Sequence, residues 1–304
     1  MEALVNVRAL EYLIAFAQEE SFTKAAARAK VSQPTLSTQI RKLEETLGVD
    51  LIERNPGKQL LTPAGREVLY YAKRIQADMS HIRQAARCAE DPWSSTIVIG
   101  IFPTLCTYLL PRLAPVLRKY KPNLTVRFVE EKSGELRQLL DDGQIDAAIF
   151  SEGFARASIS VKHLFDEDFL LAASTNSAFG HETSPIEISK LSSQRVLLLE
   201  EGHCMRRNMI DVCNKVGANQ SEFSATSLET LRYMIPSSKD VTLLPRLSTL
   251  PPIVQPAGVV LREFVDPKPY RSLYLQWRSA SPINGIMEGL ANIISATCSD
   301  LHRK

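Results

Sequence analysis

The first sixty residues carry an apolar pattern that constrains the possible folds more than any other feature of the chain. Between Leu10 and Ala17 the apolar residues recur every three or four positions, which predicts an amphipathic helix. A short alanine-rich helix is predicted over 22–30, and a third helix begins after Ser32, which can cap it. Two apolar runs around an Asn-Pro-Gly-Lys turn then predict a β-hairpin over 51–61. Three helices followed by a hairpin indicate a winged helix-turn-helix in residues 5–62.

The third predicted helix has one apolar and one polar face. Its apolar residues from Leu36 to Leu47 fall within about 60° of one another and form a buried stripe. The other face has hydroxyl groups near its start and cations further along, which suits a helix in a DNA major groove. The hairpin adds cations that can contact phosphates. The predicted DNA-contacting residues are Ser32, Gln33, Pro34, Thr35, Thr38, Arg41, Lys42, Arg54 and Lys58. A small helical domain with a polar surface is the alternative interpretation.

A long helix with a seven-residue repeat is predicted to follow the hairpin, in residues 63–92. Pro63 suits the first position of a helix, and Pro92 ends it. Apolar residues recur every seven positions from Val68 to Ala89, and a second series runs from Ala72 to Ala86. Three heptads are the minimum for a coiled coil, so the pattern favours a dimer. A helix that packs on its own domain is the other possibility.

The remaining two hundred residues, 93–304, alternate short apolar strands with helices. This alternation predicts an α/β domain with parallel strands. The predicted strands are 97–101, 125–129, 146–150, 168–172, 196–199, 241–244 and 273–277. The predicted helices are 104–120, 133–140, a segment from 203, 227–235 and 283–301.

Composition excludes several classes of protein. The net charge of +2 gives no overall nucleic-acid signal, so a DNA-binding prediction depends on the local motif. Five cysteines, with no Cys-x-x-Cys pair, argue against a disulfide scaffold and a structural zinc site, and we expect neither a metal nor a cofactor. Neither a signal peptide nor a membrane span is apparent, so the expected location is the cytoplasm.

Two cysteines, Cys204 and Cys213, stand nine residues apart in a segment that can form a helix. Nine helical residues rise roughly 13 Å and turn about 900°, half a turn from alignment. A disulfide needs Cα atoms within about 7 Å, so joining these sulfurs would unwind such a helix. The spacing alone leaves open that both are small core residues.

The literal sequence of the amino-terminal region resembles the LysR-type transcriptional regulators. The matching strings are SFTKAA from Ser21, VSQPTLS from Val31, IRKLE from Ile40, LIER from Leu51 and LTPAG from Leu61. The resemblance implies a linker helix at a dimer interface and a sensor domain like the periplasmic binding proteins, with two α/β lobes joined by crossing strands. We assign lobe one to 93–163 and 268–304, and lobe two to 164–267. Pairing of dimers into tetramers is also implied.

The carboxyl-terminal domain resembles one branch of that family, the OxyR group of hydrogen-peroxide sensors. The strings that carry the resemblance are LLEEGHCMR from Leu198, ATSLETLR from Ala225 and TLLP from Thr242, with Cys213. The resemblance implies a reversible Cys204–Cys213 disulfide and a peroxide pocket. The pocket residues it suggests are Thr104, Ser133, His203, Arg206 and Arg278.

The partners implied by the resemblance are promoter DNA, RNA polymerase, a second copy of the chain, and a reductant of the glutaredoxin or thioredoxin type. The expected function is control of oxidative-stress genes, without enzyme activity. Three alternatives stay open: a LysR-type regulator with an organic effector between the lobes, a thiol peroxidase, and a metal sensor using His203 and the two cysteines. A fourth metal ligand is not evident, which weakens the last.

Overall fold

The computed structural model describes residues 5–55, 58–88, 93, 96–181 and 184–301, without the side chains of 54, 55, 58, 80, 81 and 83–88. The chain divides near residue 86 into two compact units, each with its own apolar core. The predicted chain break at Pro92 and the last heptad position, Ala89, lie outside the described residues. Within the described ranges, no helix combines the length and hydropathy needed to cross a membrane.

The amino-terminal unit is a winged helix-turn-helix, as predicted. Asn6, Ser21 and Ser32 each accept a backbone hydrogen bond at the start of one of its first three helices. The elements are α1 (Val7–Glu19), α2 (Phe22–Arg28), α3 (Gln33–Leu47), β1 (Ile52–Asn55), β2 (Lys58–Leu61) and α4 (Pro63–Cys88). The second helix ends two residues earlier than predicted, and Lys30 has a left-handed backbone conformation, with φ of 55°.

The carboxyl-terminal unit is a two-lobed α/β domain. Its strands are β3 (Thr96–Ile101), β4 (Thr125–Glu130), β5 (Ala147–Phe150), β6 (Ile159–Ser174), β7 (Arg195–Leu199), β8 (Asn219–Ala225), β9 (Thr242–Pro245), β10 (Val259–Arg262) and β11 (Tyr270–Arg278). Its helices are α5 (Pro103–Tyr120), α6 (Ser133–Asp141), α7 (Cys204–Val216), α8 (Leu228–Met234) and α9 (Asn284–Thr297). Short 3₁₀ turns extend α8 and follow α9.

Two long strands connect the lobes. The first part of β6 pairs with β11, and its second part pairs with β9 and β10. Since β6 and β11 are antiparallel, the sheet is mixed, which corrects the prediction of parallel strands throughout. The parallel pairs are β3 with β4, β3 with β5, and β7 with β8. The carboxyl ends of β5 and β7 lead to the functional residues described below.

Helix α5 shows how packing overrides local propensity. Pro111 and Pro115 lie inside the helix, where each removes a backbone N–H, yet the helix is continuous from Pro103 to Tyr120. The face that contains Leu105, Leu109 and Leu113 is fully buried, and this burial stabilises the helix across both prolines.

Candidate functional site

Cys204 and Cys213 lie on one intact helix. Cys204 is the first residue of α7 and is half-buried, whereas Cys213 is 2% exposed and packs in the core. The left-handed Gly217, with φ of 71°, ends the helix. Both thiols are free. With nine residues of regular helix between them, the two Cα atoms lie about 13 Å apart, far beyond disulfide range.

A cavity of about 560 Å³ opens at the amino end of α7, between the two lobes. Its lining includes Ser133 and Arg137 from α6, the chain after β5, and the first turns of α7. Four of the predicted redox and pocket residues line it together: Cys204, Ser133, His203 and Arg206. The cavity therefore brings the accessible thiol together with groups from both lobes.

Two arginines of the first turn of α7 line the cavity together with Cys204, and specific contacts hold them. Arg206 donates a 2.6 Å hydrogen bond to the carbonyl of Leu199, and Arg207 pairs with Glu152 at 2.5 Å. Positive charge and the amino end of a helix both stabilise a thiolate relative to a thiol. The lining that Cys204 shares therefore includes these two guanidinium groups and the amino end of α7.

His203 does not contribute a positive charge at neutral pH, because its pKa is lowered from the ordinary value. Burial lowers the pKa of His203, and the ammonium group of Lys132 lowers it further, while a hydrogen bond with the Thr226 backbone opposes both effects. Its imidazole is 9% exposed and caps no backbone N–H of α7. A neutral imidazole can still accept or donate a proton in the cavity.

Cys213 differs chemically from Cys204. Burial raises the pKa of the Cys213 thiol, so it stays protonated at neutral pH. The same cause, assisted by Glu130, raises the pKa of Cys106 to about 12, and burial raises that of Cys298 to about 12. These three thiols are poor nucleophiles in this conformation. The side chain of Cys88 lies outside the described part of the chain.

Thr104 belongs to a separate buried cluster. Arg271 of β11 donates to the Thr104 hydroxyl at 3.3 Å and to its carbonyl at 3.1 Å. The same guanidinium lies 2.7 Å from Glu167 of β6, and both charged side chains are fully buried. Thr104 is absent from the lining of the 560 Å³ cavity.

Arg278 is not among the described residues that line this cavity. Its guanidinium donates to the carbonyls of Leu140 at 2.6 Å and Ile145 at 2.8 Å, near the carboxyl end of α6. Arg271, which sequence reasoning missed, is the arginine beside Thr104. Its partner Glu167 is about one hundred residues away in sequence, so no local pattern indicated the pair.

Ser133 is the first residue of α6, and its hydroxyl oxygen is buried without a hydrogen-bond partner in the structure. A buried hydroxyl usually has a partner, so this oxygen is available to a small polar molecule in the cavity.

The predicted DNA-contacting residues in α3 and at its N-cap are exposed. The seven are Ser32, Gln33, Pro34, Thr35, Thr38, Arg41 and Lys42. Leu36, Ile40 and Leu43 on the apolar face of the helix are buried. The side chains of Arg54 and Lys58 lie outside the described residues, although their backbones form β1 and β2.

Comparison with protein families identifies both units. A model described as "Bacterial regulatory helix-turn-helix protein, lysR family" matches residues 7–66, and "LysR substrate binding domain" matches residues 90–299. The chain belongs to the LysR family of transcriptional regulators. This regulator is 36% identical to the Escherichia coli K12 protein described as "DNA-binding transcriptional dual regulator OxyR", over 96% of this chain and 95% of the relative. It is 35% identical to the Haemophilus influenzae "Hydrogen peroxide-inducible genes activator", covering 96% of both chains.

Solved structures agree with this assignment. A full-length OxyR variant from Pseudomonas aeruginosa superposes with a TM-score of 0.77 at 31% identity, covering 96% of this chain and 95% of that chain. The LysR-family regulator CbnR, at 19% identity, shares the fold with a TM-score of 0.73 over 96% of this chain and 99% of that one. The LysR-type chain described here is accordingly a DNA-binding transcription regulator and not an enzyme.

The linker helix α4 of this LysR-type regulator divides its heptad residues between two environments. Ala72 is 1% exposed and packs with Val68 against the core of the amino-terminal unit. Ile75, Met79 and Ile82 are exposed apolar residues further along the helix, with Ile82 at 64%. The side chain of Ala86 is outside the described set. The beginning of the predicted seam therefore packs on its own domain, whereas Ile75, Met79 and Ile82 of its later part are exposed.

Proposed function

We propose that this regulator senses hydrogen peroxide through a reversible Cys204–Cys213 disulfide and controls oxidative-stress genes. The observation that carries the proposal is the contrast within α7: one thiol opens into a cation-lined cavity, and its partner is buried two and a half turns along the same helix. Relatives whose names describe peroxide-inducible gene activators support it.

The chemistry has two steps. The Cys204 thiolate attacks one peroxide oxygen, the O–O bond breaks, and the hydroxide that leaves takes up a proton to form water. The resulting sulfenic acid then condenses with the Cys213 thiol, which forms the disulfide and releases a second water. Peroxide is reduced by two electrons, and the two thiols are oxidised to one disulfide. A dithiol reductant of the glutaredoxin or thioredoxin type would return both thiols in the bacterial cytoplasm.

The conformational change that accompanies oxidation follows from helix geometry. Because the sulfurs of an intact α7 are far too distant, condensation requires at least part of the helix to unwind. When Cys213, which is 2% exposed, moves out of the core to form the disulfide, the packing of lobe two is also disrupted. We infer that this rearrangement changes how a homodimer or homotetramer holds its helix-turn-helix units on promoter DNA, and thereby its contact with RNA polymerase.

The test is promoter binding with and without peroxide. Purified protein is titrated with operator DNA in a footprinting assay, reduced and after one equivalent of hydrogen peroxide. The proposal predicts an altered footprint in the wild type and no change in Cys204→Ser. An altered footprint that persists in Cys204→Ser would contradict it.

A second candidate function is the sensing of an organic effector in the same cavity. A volume of about 560 Å³ would accommodate many water molecules of about 30 Å³ each, so it exceeds what peroxide needs. Arg137 stacks 3.8 Å from the Phe154 ring centroid in the lining, which offers both a cation and an aromatic surface. Effector-dependent DNA binding that survives replacement of both Cys204 and Cys213 by serine would favour this alternative.

A further inference from the structure

Glu44 is a carboxylate buried in the core of the helix-turn-helix unit. It lies on the inner face of the recognition helix α3, and only 5% of it is exposed, next to the fully buried Leu43 and Ile40. Burying a carboxylate is unfavourable unless its oxygens receive hydrogen bonds. An apolar residue would serve packing alone, so the contacts of this carboxylate indicate what it contributes.

The carboxylate binds the backbone at the base of the hairpin formed by β1 and β2, which is the wing of this unit. One oxygen, Oε1, accepts the backbone N–H of Leu51 at 2.9 Å and that of Ile52 at 3.2 Å. Ile52 is the first residue of β1. The two hydrogen bonds therefore link the recognition helix directly to the base of the hairpin, across the turn that starts at Gly48.

Thr62 and Gly65, at the start of the linker helix, contact the backbone of residues 50 and 51. The Thr62 hydroxyl donates to the carbonyl of Asp50 at 2.8 Å, and the Thr62 N–H donates to the carbonyl of Leu51 at 3.0 Å. A Cβ atom on Gly65 would lie 2.0 Å from the Leu51 carbonyl oxygen, so only glycine permits this approach. Residues 50–52 are thus fixed between α3 and the start of α4.

A two-stranded hairpin is marginally stable by itself, so its direction depends on what holds its base. The hairpin carries Arg54 on β1 and Lys58 on β2, near the end that is farthest from its base at Ile52 and Leu61. A rotation at Ile52 would displace both cations relative to α3. We propose that Glu44 is a positioning residue that sets the wing against the recognition helix so that wing and helix contact DNA together.

This inference depends on DNA binding by the amino-terminal unit, and the salt dependence of binding tests it. Each phosphate contact contributes about 0.9 to the slope of log K against log salt concentration. Full-length Glu44→Met keeps a side chain of similar length but has no oxygen to accept the two N–H groups. We expect its slope to fall by about one to two per bound wing.

Two variants provide the matched comparisons. Glu44→Gln retains an acceptor oxygen and should restore most of the wild-type slope. If the negative charge of Glu44 were what mattered, the glutamine variant would not restore it. Glu45→Ala removes a carboxylate from the exposed face of the same helix and should leave the wing contacts intact. The ratio of operator to scrambled-duplex affinity should change little in the two Glu44 variants, because the exposed face of α3 is unaltered in both.

A double-mutant cycle decides whether Glu44 acts through the wing. In a background with Arg54→Ala and Lys58→Ala, the Glu44→Met replacement should lower the slope no further. The same loss in both backgrounds would overturn the proposal, as would a Met variant with the wild-type slope. A Met variant whose helix-turn-helix unit is unfolded at the assay temperature would also contradict it, since Glu44 would then be required for folding. Wild-type protein that binds operator no better than scrambled DNA would instead refute the DNA-binding assignment.

Discussion

Cys204, the first residue of α7, lines the inter-lobe cavity, whereas Cys213 is buried further along the same helix. The two thiols therefore differ in access, and burial also raises the pKa of Cys213. Under the proposed function, this difference predicts an order: Cys204 reacts with the oxidant first, and Cys213 follows after the helix has opened.

Serine replacements test that order. Cys213→Ser should accumulate a sulfenic acid at Cys204 that dimedone traps, because the resolving thiol is missing. Cys204→Ser should leave Cys213 unmodified by the same peroxide dose, since the remaining thiol is buried and protonated. Cys298→Ser is the control, as that thiol is fully buried with a pKa of about 12, and its peroxide reaction should match the wild type. Rapid oxidation of Cys213 in the Cys204→Ser protein would contradict the assignment.

The pH dependence of the free energy of unfolding should show that the pKa of His203 is lowered. Its pKa in the folded protein is lowered, chiefly by burial, so the unfolded chain binds more protons at mildly acidic pH. Consequently, the free energy of unfolding should fall as the pH drops below about 6.5, the ordinary pKa of histidine, toward the lowered value. Denaturant titrations across this range compare the wild type with His203→Gln.

In His203→Gln this contribution to the pH dependence should vanish, so the difference between the two curves isolates the histidine. His163, which is exposed and pairs with Asp166 at 2.9 Å, provides the control replacement. A wild-type minus His203→Gln difference that is flat with pH would show that the histidine has an ordinary pKa.

Arg41 should contribute to operator affinity. It is exposed on the same face of α3 as Thr35 and Thr38, opposite the buried stripe. Arg41→Ala should weaken operator binding by about 1–3 kcal/mol if the guanidinium contacts a base, and specificity should relax at one position of the site. A footprinting titration measures the affinity. Unchanged affinity would remove Arg41 from the interface.

Dimerisation should depend on the exposed part of α4. Ile82 is 64% exposed, and Ile75 and Met79 extend the same apolar series toward it. Ile82→Glu introduces a charge into the predicted seam and should raise the monomer–dimer dissociation constant at least tenfold, measured by sedimentation or light scattering. Gln76→Glu adds the same charge outside that series and should have little effect. Equal effects of the two replacements would locate the dimer interface elsewhere.

Much of the fold could be predicted because its helices have regular apolar spacing. The pattern from Leu36 to Leu47 predicted both the buried and the exposed face of α3. Strand β8 was missed because it is mostly polar and exposed, with Phe223 at 65% exposure, and it lacks the alternation of a half-buried strand. Strand β6 was predicted only in part, because a buried Glu167 interrupts its apolar pattern.

The candidate site was predictable to the extent that its residues are close in sequence. His203, Cys204 and Arg206 share one turn of α7 and one cavity, and Ser133 joins them from α6. Arg271, the arginine beside Thr104, was not predicted, because its partners Thr104 and Glu167 are distant from it in sequence. The lowered pKa of His203 also depends on packing that the sequence does not display.

The most direct test of the central claim combines disulfide mapping with limited proteolysis before and after one equivalent of hydrogen peroxide. The intact α7 holds the two sulfurs too far apart to bond, so a Cys204–Cys213 disulfide and helix unwinding must appear together. We predict a peptide pair joined through Cys204 and Cys213, new cleavage within residues 202–220, and reversal of both by a dithiol reductant. Peroxide that produces no Cys204–Cys213 bond, or produces one while the protease pattern of residues 202–220 stays unchanged, would contradict the account.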